Sequence, residues 1–313
     1  MQKQFIDWTK IVIIPNRETF IMEFIYHFFD KLIIDLKNLF YVVALFLFQY
    51  FLAWLFFIPF SILFFISPEE WGQNESLVVA HEIGTLFMIT GSVAIVSKIV
   101  REMELKDFGL ERNFQALKDF FAGLTITLIV LGMGFLFLLV IGMVNVTGFA
   151  WSHMPISSLL LYLLATFIIF FLVGWNEELL SRGFHLQIIE SKFGKFIAVL
   201  VSSVIFSYMH RFNIGIDLSS HVFIFFAGSM LAYAYLKTRS LWLPIGLHAG
   251  WDFFVVVGFY GVPLNDIKIF NLIDISISRG PFSGPFLYVI QYIELALIVY
   301  LANWYSRQAR NTI

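Results

Sequence analysis

Apolar residues run through this chain in blocks long enough to cross a lipid bilayer, and that feature restricts the fold more than any other. Eight blocks lie near Leu39–Ile66, Leu77–Ser97, Phe120–Val144, Ile156–Trp175, Phe196–Met209, His221–Leu236, Leu241–Phe259 and Phe286–Trp304. A hydrocarbon core about 30 Å thick takes about 20 helical residues. Inside it, every backbone N–H and C=O must find a partner within the protein, which a helix provides by itself. The expected fold is all-α, a polytopic membrane helix bundle of about eight transmembrane helices. The fifth, sixth and seventh blocks are short or interrupted, with Pro244 near the start of the seventh. Such segments are tolerated where neighbouring helices bury them.

Charge agrees with hydropathy. Charged residues make up 13% of the chain, against about 25% in soluble domains. So little charge cannot cover a water-facing surface, and a lipid-facing one removes the need. The formal net charge of -2 points to no acidic or basic partner, and nucleic acid is not expected as one. With no cysteine, disulfides and thiolate metal sites are excluded. Met1 to Lys37 mixes charged and apolar residues, so no cleaved signal peptide is expected.

Within that stretch, Phe20, Phe24, Phe28, Leu32 and Leu36 recur at helical spacing among Glu23, Asp30, Lys31 and Asp35. Arg17 to Lys37 therefore reads as an amphipathic helix, either in the membrane interface or on an ordinary surface. The domain reading is an N-terminal segment, 1–38, and one transmembrane domain, 39–313, with no linker or internal repeat. Basic residues set the orientation. With both termini cytoplasmic, the outer loops hold only Arg211, Lys268 and Arg279, and the other 17 of the 20 Lys and Arg lie inside. This asymmetry supports eight spans in an integral, multi-pass protein of the cell membrane.

Ionisable residues inside spans are costly, and are functional candidates for that reason. Three clusters qualify. The first is Asn176-Glu177-Glu178-Leu179-Leu180-Ser181-Arg182. Glu178 and Arg182, at i and i+4, share a helix face and can pair. Glu177, about 100° away, is then free to act as a base. The second is Phe206 to His210, and the third is His248 with Asp252, again at i and i+4. Two imidazoles and a carboxylate are zinc-type ligands. The same set can instead hold a water for a glutamate base, with a histidine donating to a developing oxyanion. His81-Glu82 lacks the second histidine of the His-Glu-x-x-His pattern. His27, His153, His185 and His221 read as interfacial or structural.

Taken in order, the three clusters resemble the signature of the CPBP (Abi, CAAX-protease-like) intramembrane protease family: Glu-Glu-x-x-x-Arg, Phe-x-x-x-His and His-x-x-x-Asn/Asp. Here these are Glu177, Glu178 and Arg182; Phe206 and His210; His248 and Asp252. The likeness spans about Ile156 to Phe259, a protease-like core at 156–259. It implies an endopeptidase acting on a peptide or protein substrate in or at the membrane, membrane-associated or prenylated. Glu177 would activate water, and Glu178 and Arg182 would orient the site. His210 and His248, with Glu177, would bind a divalent metal such as zinc, or the two histidines would hold the water and the oxyanion. Asp252 stands where some members carry Asn. A carboxylate donates no hydrogen bond unless protonated, so Asp252 suits a metal-ligand or His-orienting role.

The competing reading is a non-catalytic membrane protein on the same fold, such as a bacteriocin-immunity or scaffold protein. A small-solute transporter would show two-fold internal symmetry, and none is evident. The signature also sets a geometric condition. If Glu177 ends its span on one side and His210 ends the next on the other, about 30 Å of hydrocarbon separates them. A shared site requires a shallow fifth segment or a fourth helix that continues through Glu190.

Overall fold

The computed structural model describes residues 17–64, 78–213, 216–259, 272–277 and 283–310. The side chains of Phe20, Phe24, Phe28 and His27, and residues Lys268 and Arg279, lie outside the described set. Among the described residues, eight α-helices follow the expected order: α1 Arg17–Phe64, α2 Val78–Arg101, α3 Phe114–Val140, α4 Ile156–Glu178, α5 Gln187–Met209, α6 Leu218–Thr238, α7 Trp242–Phe253 and α8 Ser283–Arg310. The fold is the all-helical polytopic bundle that the apolar blocks require. Helix α1 is continuous through position 38, where the N-terminal segment was expected to end. The chain divides into two compact units, Met1–Leu45 and Phe46–Ile313. In the first, α1 exposes Leu36, Leu39 and Phe40.

Seven helical stretches among the described residues are long and apolar enough to cross a membrane, and one of them, Ile156–Met209, is 54 residues long. This stretch supplies both the fourth and the fifth expected spans. A π-helical segment, Leu179–Leu186, joins α4 to α5 without a break, so the fourth helix runs well past Trp175. The chain then bends at Gly194, with φ 79° and ψ 170°. That backbone region is open essentially to glycine alone. A Cβ at Gly194 would meet nothing within 4 Å, so the glycine serves conformation rather than space.

The bend resolves the depth problem. Glu177 lies 17 residues before Gly194 and His210 lies 16 after it. In one straight helix they would be about 50 Å apart. Folded back at Gly194, the two arms bring them level, and their side chains lie 3.5 Å apart.

Helices α3 and α7 pack closely through small residues. A Cβ at Gly246 would strike the Phe120 carbonyl, and one at Gly250 would strike Thr127 Oγ1. Such contacts let helix backbones approach where no water drives association. Leu136, Val140, Leu160 and Leu161 point outward on α3 and α4, as a lipid-facing surface requires. One feature departs from the all-helical expectation. Val144, placed at the end of the third span, instead opens strand β1 (Val144–Phe149), which pairs antiparallel with β2 (Ile273–Ile277).

Candidate active site

The buried part of the site is an ion pair. Arg182 Nη1 donates to Glu178 Oε1 at 2.7 Å, and the two side chains are 1% and 0% exposed. The guanidinium also donates from Nη2 to the Gly228 carbonyl of α6 at 2.9 Å, and lies 4.2 Å from the centre of the Phe206 ring. The pair is not satisfied on every side: Glu178 Oε2 and Arg182 Nε are buried and make no hydrogen bond within the protein. The pair was expected from its i, i+4 spacing, and it sits in the bundle interior rather than at a helix end. Arg182 itself lies on the π-helical segment, a deviation frequent at functional sites.

Glu178 reaches a second helix through the same oxygen. His248 Nδ1 of α7 lies 2.7 Å from Glu178 Oε1. A carboxylate only accepts, so Nδ1 carries the proton and the ring's orientation is set. His210 is anchored in parallel fashion: its Nδ1 donates to the Phe206 carbonyl at 2.8 Å. Both imidazoles therefore have Nδ1 tied down and Nε2 free to face the same atom. That atom is Glu177 Oε2, 3.5 Å from His210 Nε2 and 3.8 Å from His248 Nε2. It is buried and makes no hydrogen bond within the protein. Asp252 Oδ2 lies 3.5 Å from His248 Nε2.

Exposure divides the residues. Glu178 and Arg182 are sealed, whereas Glu177 and Asp252 are 29% and 27% exposed at the side chain. The sealed pair holds the architecture, and the half-open groups are the ones a substrate can meet. The structure thus brings together Glu177, Glu178, Arg182, His210, His248 and Asp252. The contacts of 3.5–3.8 Å are longer than direct hydrogen bonds. Looseness of this order is usual in a site awaiting substrate.

The same atoms can be tested against a metal cage. Among the described residues, no three His, Asp or Glu side chains are grouped to hold a metal ion. The arrangement does not form a ready ion site.

Phe206 was named in the sequence motif without a role of its own, and Gly228 was not foreseen. The Phe206 ring lies under Arg182 and also packs against both imidazoles, with centroids 4.7 Å from His210 and 6.0 Å from His248. Gly228 supplies a carbonyl; a Cβ there would sit 3.1 Å from Phe206 and 3.3 Å from Arg182 Nη2. A glycine inside an otherwise apolar helix was the available signal, since it marks a close approach. Three further histidines make their contacts elsewhere. His221 Nδ1 lies 3.2 Å from Ser207 Oγ, His153 Nδ1 3.9 Å from Asp274 Oδ2, and His185 is buried against the Phe46 ring.

Residues 157–254 match the family model described as type II CAAX prenyl endopeptidase Rce1-like. The match covers all three clusters, from α4 into α7. No curated protein matches the chain.

Proposed function

We propose that this chain, whose residues 157–254 match the Rce1-like, CAAX-protease family model, is an intramembrane endopeptidase with Glu177 as general base. The observation that carries the reading is the convergence of two anchored imidazole Nε2 atoms, at 3.5 and 3.8 Å, on Glu177 Oε2. A water held among these three atoms has enough polar partners to be bound. Glu177 takes one proton from it as the oxygen attacks the scissile carbonyl carbon. Negative charge moves to the carbonyl oxygen. His210 and His248, donating from Nε2, stabilise it. When the tetrahedral intermediate collapses, the C–N bond breaks and Glu177 returns its proton to the leaving amine. Asp252, beside His248 Nε2, orients that ring, and the Glu178–Arg182 pair holds α4, α6 and α7 in register. The substrate is a membrane-associated or prenylated protein presented from the bilayer.

The test is purified protein in lipid nanodiscs, incubated with prenylated and unprenylated membrane-anchored peptides and read by mass spectrometry. Cleavage that Glu177→Gln abolishes supports the reading. No cleavage of any such peptide favours a non-catalytic protein on this fold. A chelator arm separates the two chemistries: loss of activity restored by zinc assigns His210, His248 and Glu177 as ligands, and unchanged activity assigns the glutamate and water.

A further inference from the structure

A second feature lies on the other side of the catalytic helix. A groove of about 610 Å³ is lined by Phe114, Leu117 and Phe120 of α3, Trp175 of α4 and Trp242 of α7, together with Arg112. Trp175 and Glu177 are two residues apart, or about 200° around the helix. The groove and the active site therefore occupy opposite faces of α4.

The groove's floor is apolar in fact as well as in composition. Both indole N–H groups are already used: Trp175 Nε1 donates to Thr90 Oγ1 at 3.0 Å, and Trp242 Nε1 to the Glu111 carbonyl at 2.8 Å. The two indole rings meet edge to face, 5.6 Å apart, and Phe120 joins them. Phe114 and Leu117 are 72% and 56% exposed on a membrane-crossing helix, so the groove opens toward acyl chains. Whatever fills it must be largely hydrocarbon.

One end of the groove is cationic. Arg112 is exposed and has no carboxylate partner among the described residues. Lys118, one turn into α3, is exposed and lies 4.8 Å above the Phe114 ring, also without a carboxylate. The neighbouring acids are engaged elsewhere. Glu111 accepts from Asn113 Nδ2 at 2.8 Å, and Asp119 from Tyr305 and Gln115; both acids line an adjoining polar pocket beside Arg239. An apolar slot continuous with the bilayer, ending at two cations that make no ion pair among the described residues, matches one chemistry: hydrocarbon chains attached to a negative headgroup.

We infer that this groove is a binding site for an anionic phospholipid, with an acyl chain against Trp175 and Trp242 and the headgroup on Arg112 and Lys118. The site touches the helices that bear Glu177 and His248, yet it holds whether or not those residues catalyse proteolysis.

The experiment is fluorescence quenching in vesicles of unlabelled phosphatidylcholine, doped with phosphatidylglycerol or phosphatidylcholine carrying brominated chains. The chain has 8 Trp residues, so the groove signal is the difference between wild type and Trp242→Phe. Because that change removes the bond to Glu111, Leu117→Trp gives a second reporter at an exposed position of the same groove. Quenching of the groove signal is expected at a lower fraction of brominated phosphatidylglycerol than of brominated phosphatidylcholine. Each cation should contribute about fivefold to that preference, the equivalent of about 1 kcal/mol. Arg112→Gln should lose about fivefold and Arg112→Lys should keep it. Equal quenching by the two lipids in wild type, an unchanged preference in Arg112→Gln, or a preference erased by millimolar inorganic phosphate would each overturn the inference.

Discussion

Replacing Glu178 with Gln keeps the side chain's shape and deletes one buried charge. In the wild type, Glu178 Oε1 receives both Arg182 Nη1 and His248 Nδ1 at 2.7 Å, with Glu178 fully sealed. After the change, Arg182 retains the Gly228 carbonyl and the Phe206 ring but has lost its counter-charge. Breaking a buried ion pair from one side costs about 3–5 kcal/mol, against a total stability of about 5–15 kcal/mol. Unfolding of the detergent-solubilised protein by denaturant should register that loss directly. The orphaned guanidinium, rather than the lost contact, causes most of it. The double change Glu178→Gln with Arg182→Met should therefore recover much of the stability while leaving His248 unanchored and activity low. A single variant within about 1 kcal/mol of wild type, or a double variant no more stable than the single, would refute this account of the pair.

Glu177→Gln should lower the rate of peptide cleavage by roughly 10²–10⁴ with unfolding unchanged; cleavage at the wild-type rate removes Glu177 as the base. Gly194→Ala forces a side chain into the glycine-only region at φ 79°, ψ 170°, which should cost about 1–3 kcal/mol and misalign Glu177 with His210. Lower stability and cleavage in that variant check this. Gly246→Ala places a Cβ on the Phe120 carbonyl; overpacking of this kind costs about 1–3 kcal/mol, and an unshifted melting temperature would show that α3 and α7 can separate freely. Reporter fusions at Gln2 and Ile313 should both signal the cytoplasmic side, as the basic-residue asymmetry requires.

Some of this site was legible because its determinants are local. The pairing of Glu178 with Arg182, and the contact of His248 with Asp252, follow from i, i+4 spacing on a helix. The freedom of Glu177 follows from the same geometry, because a neighbouring residue is turned about 100° away. The bond from His248 to Glu178 spans 70 residues, and the carbonyl of Gly228 lies 46 residues from Arg182. No periodicity encodes either.

The amino-acid sequence alone determined that the chain lives in a bilayer as a helical bundle, because unpaired backbone cannot survive in hydrocarbon and long apolar runs have only that solution. It also determined which ionisable groups are worth burying. Tertiary structure decided where the helices end. Hydropathy reads the surroundings of a segment, and Leu179–Leu186 is buried by its neighbours although it contains Ser181, Arg182 and His185. The fourth helix therefore continues where the apolar signal stops. Only the turn at Gly194 then brings Glu177 and His210 to one depth, because the meeting of two side chains depends on the path of the whole chain between them.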